Sequence, residues 1–467
     1  MPLPDREFTY LTTVRGMCRS CRKLVPARIV FRGQEVWQER LCPTCGTEGA
    51  LIASDKAWYM ARMEETRRDH SPLPGHQPSK QGCPMDCGPC AWHVSPCQLP
   101  VISITNACNL RCPICFTYNR ADRIWHMELD ELKATVDWIL ESTGGVDLIN
   151  LTGGEPTLHP RLFEIIEGCK RQGIGRVTLN SNGIVMAQDP DFCARLAELG
   201  VYVILSFDAL DAASSQRFHG VDLVETKLKA IENLGRAGVR MTLLNVLARD
   251  ENEGVPGQLL DLMRTHEHIL SLTVQTMTYT GQGGGSFPRK KHIPVDEAAR
   301  MICKNLGGEI LETDFLSRPS AHPLCYSIAY LFKTGDRFLP FTRVMSNEEI
   351  HARLRGSYLL RMEDGAEVLS DVVNRLYAEG RTDLLAGFKE LIRKVHPTDR
   401  HLDIFERQRA AEGSVRTIYI HAHMDEDNFD CARAAQCPDL VPASPGRLVP
   451  ACTYNLFYRQ KDERFYV

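Results

Sequence analysis

The chain has 467 residues, 43% of them hydrophobic and 24% charged, with a formal net charge of −4. That is the composition of a globular protein with two or three domains' worth of core, and it gives no reason to expect nucleic-acid binding. No apolar run approaches the ~20 residues of a membrane span, and "MPLPDREFTY" at the start has no signal-peptide apolar segment, so a cytoplasmic protein is expected, with contact at a membrane surface left open.

The unusual number is 18 cysteines. Clustered cysteines in a chain without a secretory signal read as metal ligands rather than disulfides. Cys18, Cys21, Cys42 and Cys45 form two C-x2-C knuckles, a spacing that closes one tetrahedral ion, either zinc or rubredoxin-like iron. Residues 1–80 are read as this N-terminal domain with four cysteine ligands, of the rubredoxin or zinc-ribbon kind. Cys83, Cys87, Cys90 and Cys97 follow in a segment (81–98) bent by Pro84, Gly88 and Pro89, which suits a four-iron cluster, with His93 an alternative to Cys97.

At residue 99 the pattern becomes periodic. "LPVISITNA" reads as a buried strand, and Leu129, Leu132, Val136, Ile139 and Leu140 recur at helical spacing. Five more strand-then-helix units follow: "VDLINLT", "RVTLNSN", "VYVILSF", "VRMTLLNVLA" and "LSLTVQTMT", each before an amphipathic segment. Such alternation implies a parallel α/β sheet. Six units are too few to close an eight-stranded barrel, so the expectation is a partial (β/α)6 TIM-type barrel over residues 99–310, with its chemistry at the C-terminal strand ends.

That end carries a third cysteine group, Cys108, Cys112 and Cys115, one thiolate short of a closed site. It also carries "TGGEP" (Gly153, Gly154, Glu155, Pro156), "NSNG" (Asn180, Asn182) and "SFDA" (Ser206, Asp208). The two glycines are read as letting a ligand come close to the backbone. Residues 311–467 form the expected C-terminal extension, where Cys325, Cys431, Cys437 and Cys452 make a fourth group, Cys431 its most replaceable member.

Cys169, Cys193 and Cys303 lie in helical patterns and read as core packing. His322, His421 and His423, beside the late motifs, read as packing or hydrogen-bonding residues before ligands or proton donors. The run Arg289, Lys290, Lys291, His292 reads as a solvated loop, with a phospholipid headgroup as the alternative. Residues 362–396 read as two amphipathic helices covering the barrel mouth.

An open C-x3-C-x2-C triplet with a GGEP turn in a six-unit βα barrel resembles the radical S-adenosylmethionine (SAM) enzymes. The resemblance implies that Cys108, Cys112 and Cys115 hold three irons of a four-iron cluster, whose fourth iron binds SAM. Gly153, Gly154 and Glu155, followed by Pro156, would then meet the methionine amino group. Asn180 or Asn182 and Ser206 or Asp208 would flank its carboxylate and ribose. The residue before the third cysteine is commonly aromatic and faces the adenine; here it is Ile114, with Phe116 just beyond. Over nearly the whole chain the flanks are similar to the tetraether lipid synthase group, which joins unactivated carbons of isoprenoid chains. That similarity implies two auxiliary four-iron clusters besides the SAM cluster, one mononuclear iron or zinc, a lipid or other small-molecule substrate, and an electron donor such as flavodoxin or ferredoxin. The second knuckle departs from that group's Cys-x2-His. Relatives of the group have been described as methyltransferases acting on a pterin, so radical modification of a pterin or a peptide is the alternative function.

Overall fold

The computed structural model describes residues 7–65, 80–88, 90–117, 123–289, 292–304, 306–334, 337–354, 365–444 and 446–465. Near the N-terminus, β1 (Thr9–Met17), β2 (Leu24–Arg32), β3 (Glu35–Cys42) and β4 (Gly46–Ala53) form an antiparallel sheet in sequential order. The two cysteine knuckles occupy its β1–β2 and β3–β4 turns, which lie at the same end of the sheet. Arg22 adopts φ 57° in the first knuckle, a left-handed position unusual for a residue with a side chain.

The six expected strands are present. β5 (Leu99–Thr105), β6 (Ile149–Gly153) and β7 (Val177–Ser181) are followed by β8 (Tyr202–Ser206), β9 (Met241–Leu247) and β10 (Ile269–Thr276). They pair in parallel in that order. Intervening helices such as Leu129–Thr143 and Val224–Ala237 bury Val136, Ile139, Ile231 and Leu234 against them in one large core. The α/β parallel sheet read from the sequence is therefore the fold.

The C-terminal extension is not a separate layer. β11 (Tyr326–Thr334), β12 (Arg337–Pro340) and β13 (Val415–His421) extend the sheet at one edge, β13 running parallel to β10. β14 (Asp439–Ser444) and β15 (Arg447–Pro450) extend the other, β14 running parallel to β5. The sheet thus has eleven strands, and its two edges approach each other at Asp439. The Tyr326 hydroxyl donates to the Asp439 carboxylate, His421 lies 3.8 Å from it and Arg318 3.6 Å. Polar side chains, not a strand ladder, span the opening of the barrel.

The helices Gly365–Ala378 and Thr382–Val395 form as expected, but they do not cover the mouth. Phe388 meets Phe332 edge-on at 4.3 Å, and Phe332 pairs with Val415, the first residue of β13. They therefore pack at the end of the sheet opposite the cysteine loop, because their apolar faces belong to a second core built on β11. The loop before residue 292 is likewise anchored rather than solvated. Arg289 lies 3.4 Å from Glu426, and His292 lies 3.5 Å from Asp427 and 3.6 Å from Asp425. This pairing removes both as free phosphate ligands. Lys290 and Lys291 lie outside the described residues.

The same acidic segment docks the N-terminal sheet. Arg19 and Arg22, both in the first knuckle, reach Asp427 at 3.4 Å and Glu426 at 3.1 Å. Buried Arg40 donates to the Glu426 carbonyl at 2.6 Å, and Gln38 to that of Phe429 at 2.9 Å. No helix among the described residues is long and apolar enough to cross a membrane.

Candidate active site

Cys108, Cys112 and Cys115 sit on the half-buried loop after β5. Burial, then the charges of Cys115 and Cys108, push the Cys112 thiol up to about 12. Burial with Glu155 and Cys115 raises Cys108 to about 11. The three thiols thus feel one another's charge on a half-buried loop, and such a donor set suits an iron–sulfur cluster, whose iron would displace the thiol protons.

Gly153 and Gly154 are required by the chain beside them. A Cβ at Gly153 would lie 2.1 Å from the Thr105 carbonyl oxygen and one at Gly154 2.2 Å from that of Ala107. Their close approach is to the chain itself. Gly154 N–H donates to Thr105 O at 2.8 Å and Glu155 N–H to Ala107 O at 2.7 Å, which pins the start of the cysteine loop to the turn after β6. A second pair of glycines supports the loop from beneath. Gly283 N–H donates to Cys115 O at 3.0 Å, and a Cβ at Gly281 would meet Phe116 C at 2.5 Å.

Glu155 is 2% exposed. Its Oε1 accepts from Thr157 N (3.2 Å), Thr157 Oγ1 (2.7 Å) and Ser181 Oγ (2.9 Å), and its Oε2 from Asn182 N (2.8 Å). Burial raises its pKa and these donors oppose the rise. Pro156 opens the short turn Pro156–Leu158. Asn182 donates from Nδ2 to Asn109 Oδ1 at 2.7 Å, tying β7 to the cysteine loop. Asn180 Oδ1 is buried with no hydrogen-bond partner among the described residues, an unused acceptor at the strand end.

Ser206 contributes its carbonyl, which accepts from Lys227 Nζ. Asp208, 2% exposed, accepts from Val246 N at 2.5 Å and lies 3.5 Å from His219 Nε2. Burial pushes its carboxyl up to about 6, while Lys227 opposes the rise. Lys227 itself is 1% exposed, and its charge is felt by Asp208, Cys112 and Glu155. It escaped notice in the sequence, although its place four residues before Ile231 and seven before Leu234 puts it on the buried stripe of its helix. Ile114, 7% exposed, joins an apolar group with Phe218, Met277 and Phe287 beside the loop.

Phe116 faces His423. Their rings stack at 5.1 Å, and His423 Nδ1 lies 3.5 Å from Cys452 Sγ. His423 Nε2 lies 3.4 Å from Gln275 Nε2, and the His421 ring stacks on Tyr326 at 4.2 Å. Both histidines thus make ring contacts. His322 serves its own turn, Nδ1 accepting from Leu324 N at 3.2 Å and its carbonyl from Cys325 N at 2.8 Å.

Cys431 lies beside Cys83: its Sγ is 3.5 Å from Cys83 O, and Cys83 Sγ is 3.8 Å from Cys431 O. Cys83 responds to Cys431 first, which favours its thiolate, and then to Cys87, burial and Cys90, which together raise it. Cys437 is raised by burial and then by Asp439, Cys452 and Cys325, not by Cys431. Cys97 stands two residues before Leu99 and Cys437 two before Asp439, and Leu99 and Asp439 are parallel partners, so Cys97 and Cys437 run side by side. Gln98 N–H donates to Pro438 O at 3.0 Å between them. Cys431 therefore lies beside Cys83, and the chain at Cys97 beside that at Cys437, because β14 pairs with β5 while the helix after Asp430 packs on β1.

The Cys18, Cys21, Cys42 and Cys45 sulfurs lie within 4.8 Å of one another. N–H groups of Cys45 (3.4 Å) and Thr44 lower the Cys42 thiol to about 7. Four mutually close thiols fit one tetrahedral ion. Cys169 and Cys193 are buried in the main core, and Cys303 packs against it. His292, Asp425 and Asp427 also gather within 4.8 Å, but Arg19, Arg40 and Arg289 supply their countercharge.

Comparison with known proteins agrees with this site. Residues 102–263 match the radical SAM superfamily, and residues 10–54 match the HMPTM N-terminal zinc ribbon domain. The chain is 25% identical to a 7,8-dihydro-6-hydroxymethylpterin dimethyltransferase of Methanocaldococcus jannaschii, over 96% of this chain and 94% of that protein. It is 31% identical to a GTP 3',8-cyclase of Pasteurella multocida over 34% of this chain, and spans about half (48%) of the cyclase. A crystal structure of Streptococcus suis SuiB bound to S-adenosylmethionine superposes with TM-score 0.39 at 20% identity, covering 45% of this chain and 47% of that one. The chain carries a radical SAM domain and an N-terminal zinc ribbon, and it is a radical SAM enzyme.

Proposed function

We propose that this radical SAM enzyme methylates a carbon of a reduced pterin. The observation that carries the reading is the end-to-end similarity to a pterin dimethyltransferase, which includes the zinc ribbon as well as the barrel. Lipid-chain coupling ranks second, because that similarity points to a pterin and not to an isoprenoid chain. In this reading Cys108, Cys112 and Cys115 hold the SAM-binding cluster. Cys83, Cys87, Cys90 and Cys431 hold one auxiliary cluster; Cys97, Cys325, Cys437 and Cys452 hold the other. The ribbon cysteines hold the mononuclear ion.

When bound, SAM and its cluster supply a carbon radical able to remove hydrogen from an unactivated carbon. The chain's own residues bind, orient and exclude water. Glu155, its carboxylate fixed by Thr157, Ser181 and Asn182, presents a preset anionic edge at the strand ends. Asn180 Oδ1 is an acceptor waiting for a donor. Lys227 offsets the charge of Asp208, Glu155 and the Cys112 thiolate in a site with little water to do so. The apolar group around Ile114 and Phe218 keeps one wall dry. A small acidic electron carrier of the flavodoxin or ferredoxin class would deliver the reducing equivalent.

The test is to incubate anaerobically reconstituted protein, SAM and reductant with 7,8-dihydro-6-hydroxymethylpterin, in an extract containing one-carbon donors. Mass spectrometry should find the pterin heavier by one methylene unit per methyl added. An unmodified pterin, together with two molecules of 5′-deoxyadenosine for each bond formed between isoprenoid chain ends, would replace this reading with lipid coupling.

A further inference from the structure

Arg433 lies on the short helix Cys431–Ala435 and is 4% exposed. Its Nη2 donates to Leu324 O (3.2 Å), Ala422 O (3.1 Å) and the sulfur of Cys325 (3.5 Å). Its Nε is buried without a partner, and no carboxylate among the described residues comes within ion-pair distance. A guanidinium buried without a counterion is costly. The negative charge that Arg433 does feel is that of Cys325 and Cys452, with Asp430 after them. Its guanidinium touches the Cys325 sulfur, so ligand thiolates of a bound cluster would supply the missing countercharge.

The same set receives further donors. Met424 N–H donates to Cys452 Sγ at 3.3 Å, and His423 Nδ1 lies 3.5 Å from that sulfur. Tyr279 N–H and Asn428 fix Asp425, which holds the 423–428 turn in place. The Cys83, Cys87, Cys90 and Cys431 set is served differently. The arginines near it are Arg15, which is exposed, and half-buried Arg447, whose Nε donates to the Cys87 carbonyl and not to sulfur. Positive charge and N–H donors at ligand sulfurs favour the more negative, reduced state of an iron–sulfur centre, and more so where water is excluded.

We propose that Arg433 and His423 are positioning residues that hold the Cys97, Cys325, Cys437 and Cys452 centre at a higher reduction potential than the Cys83, Cys87, Cys90 and Cys431 centre. The inference rests on the reading that both sets hold iron–sulfur clusters. It makes the centre in the barrel opening, joined through His423 to Phe116 on the SAM loop, the one disposed to accept an electron.

The experiment is a redox titration of the full-length, anaerobically reconstituted protein followed by electron paramagnetic resonance. Cys452→Ala and Cys83→Ala first assign the two auxiliary signals; if neither variant removes a signal, the cluster reading fails, and the inference falls with it. With the signals assigned, Arg433→Met should lower the reduced-to-oxidised ratio of the Cys452-dependent signal at least tenfold at a fixed potential. That is about 59 mV for a one-electron couple. Arg433→Lys should restore most of it, and the other two signals should not move. If Arg433→Met fails to load iron, His423→Phe and His423→Asn decide: Phe keeps the ring and loses the donor, so the ratio falls, while Asn offers an N–H and restores it. An unmoved Cys452-dependent signal, or equal shifts of both auxiliary signals, overturns the proposal.

Discussion

The imidazole of His423 stacks on the ring of Phe116 at 5.1 Å and 21°. Phe116 follows Cys115, and His423 lies 3.5 Å from Cys452, so one ring pair connects the SAM loop with a cysteine set drawn from the far end of the chain. Phe116→Leu removes the stacking and keeps the apolar volume. Product formed per SAM cleaved should fall several-fold, matching the ~1 kcal/mol of a stacked pair, with SAM cleavage maintained. An unchanged ratio of product to 5′-deoxyadenosine would show that the contact is packing alone.

The nearness of Cys431 to Cys83, and of Cys97 to Cys437 along paired chain segments, makes a pairwise prediction. Cys431→Ala should abolish the same paramagnetic signal as Cys83→Ala, and Cys97→Ala the same as Cys452→Ala, each with about four irons lost. Matching of Cys431→Ala to Cys452→Ala would restore the grouping suggested by sequence order.

Glu155→Gln replaces an acceptor of four hydrogen bonds by a group that can accept at only one end. The Asn182 N–H or the Thr157 and Ser181 donors lose their partner, which should loosen the turn by about 2 kcal/mol and so weaken SAM binding. Iron content should be unchanged, because no contact of Glu155 is to a cysteine sulfur. Equilibrium dialysis with labelled SAM, beside an iron assay, checks both halves.

His219 is buried behind Asp208, and burial, with Lys227 next, lowers its pKa to about 3. A histidine with a lowered folded pKa stabilises the protein fully above the unfolded value near 6.5, and that contribution is lost as pH falls toward 3. Each pH unit below 6.5 should cost about 1.4 kcal/mol through this residue. His219→Gln should flatten the pH dependence of anaerobic urea unfolding by one proton between pH 6.5 and 5. The same slope in the variant would show that His219 takes up its proton in the folded state.

Much of the fold follows from short-range pattern. Alternating apolar strands and 3.6-residue helical stripes fix the six parallel units, since each pattern can bury its apolar side in only one way. The ribbon is legible for a similar reason: two C-x2-C knuckles each fold locally, and their convergence needs only a pair of hairpins. The SAM loop is legible because Cys108, Cys112 and Cys115 lie within eight residues.

Tertiary structure decided what sequence distance conceals. Cys83 and Cys431 are 348 residues apart, and nothing local to either selects the other. The selection is made by β14 adding to the edge beside β5 and by the 423–430 segment being gripped between the ribbon's arginines and the barrel. The glycines of GGEP show the same limit. Their spacing announces a close approach, but only the fold shows that the approach is to Thr105 and Ala107. The barrel's opening, bridged at Asp439 by Tyr326, His421 and Arg318, is likewise a product of eleven strands meeting without closing, and it is there that the late cysteines and Arg433 find one another.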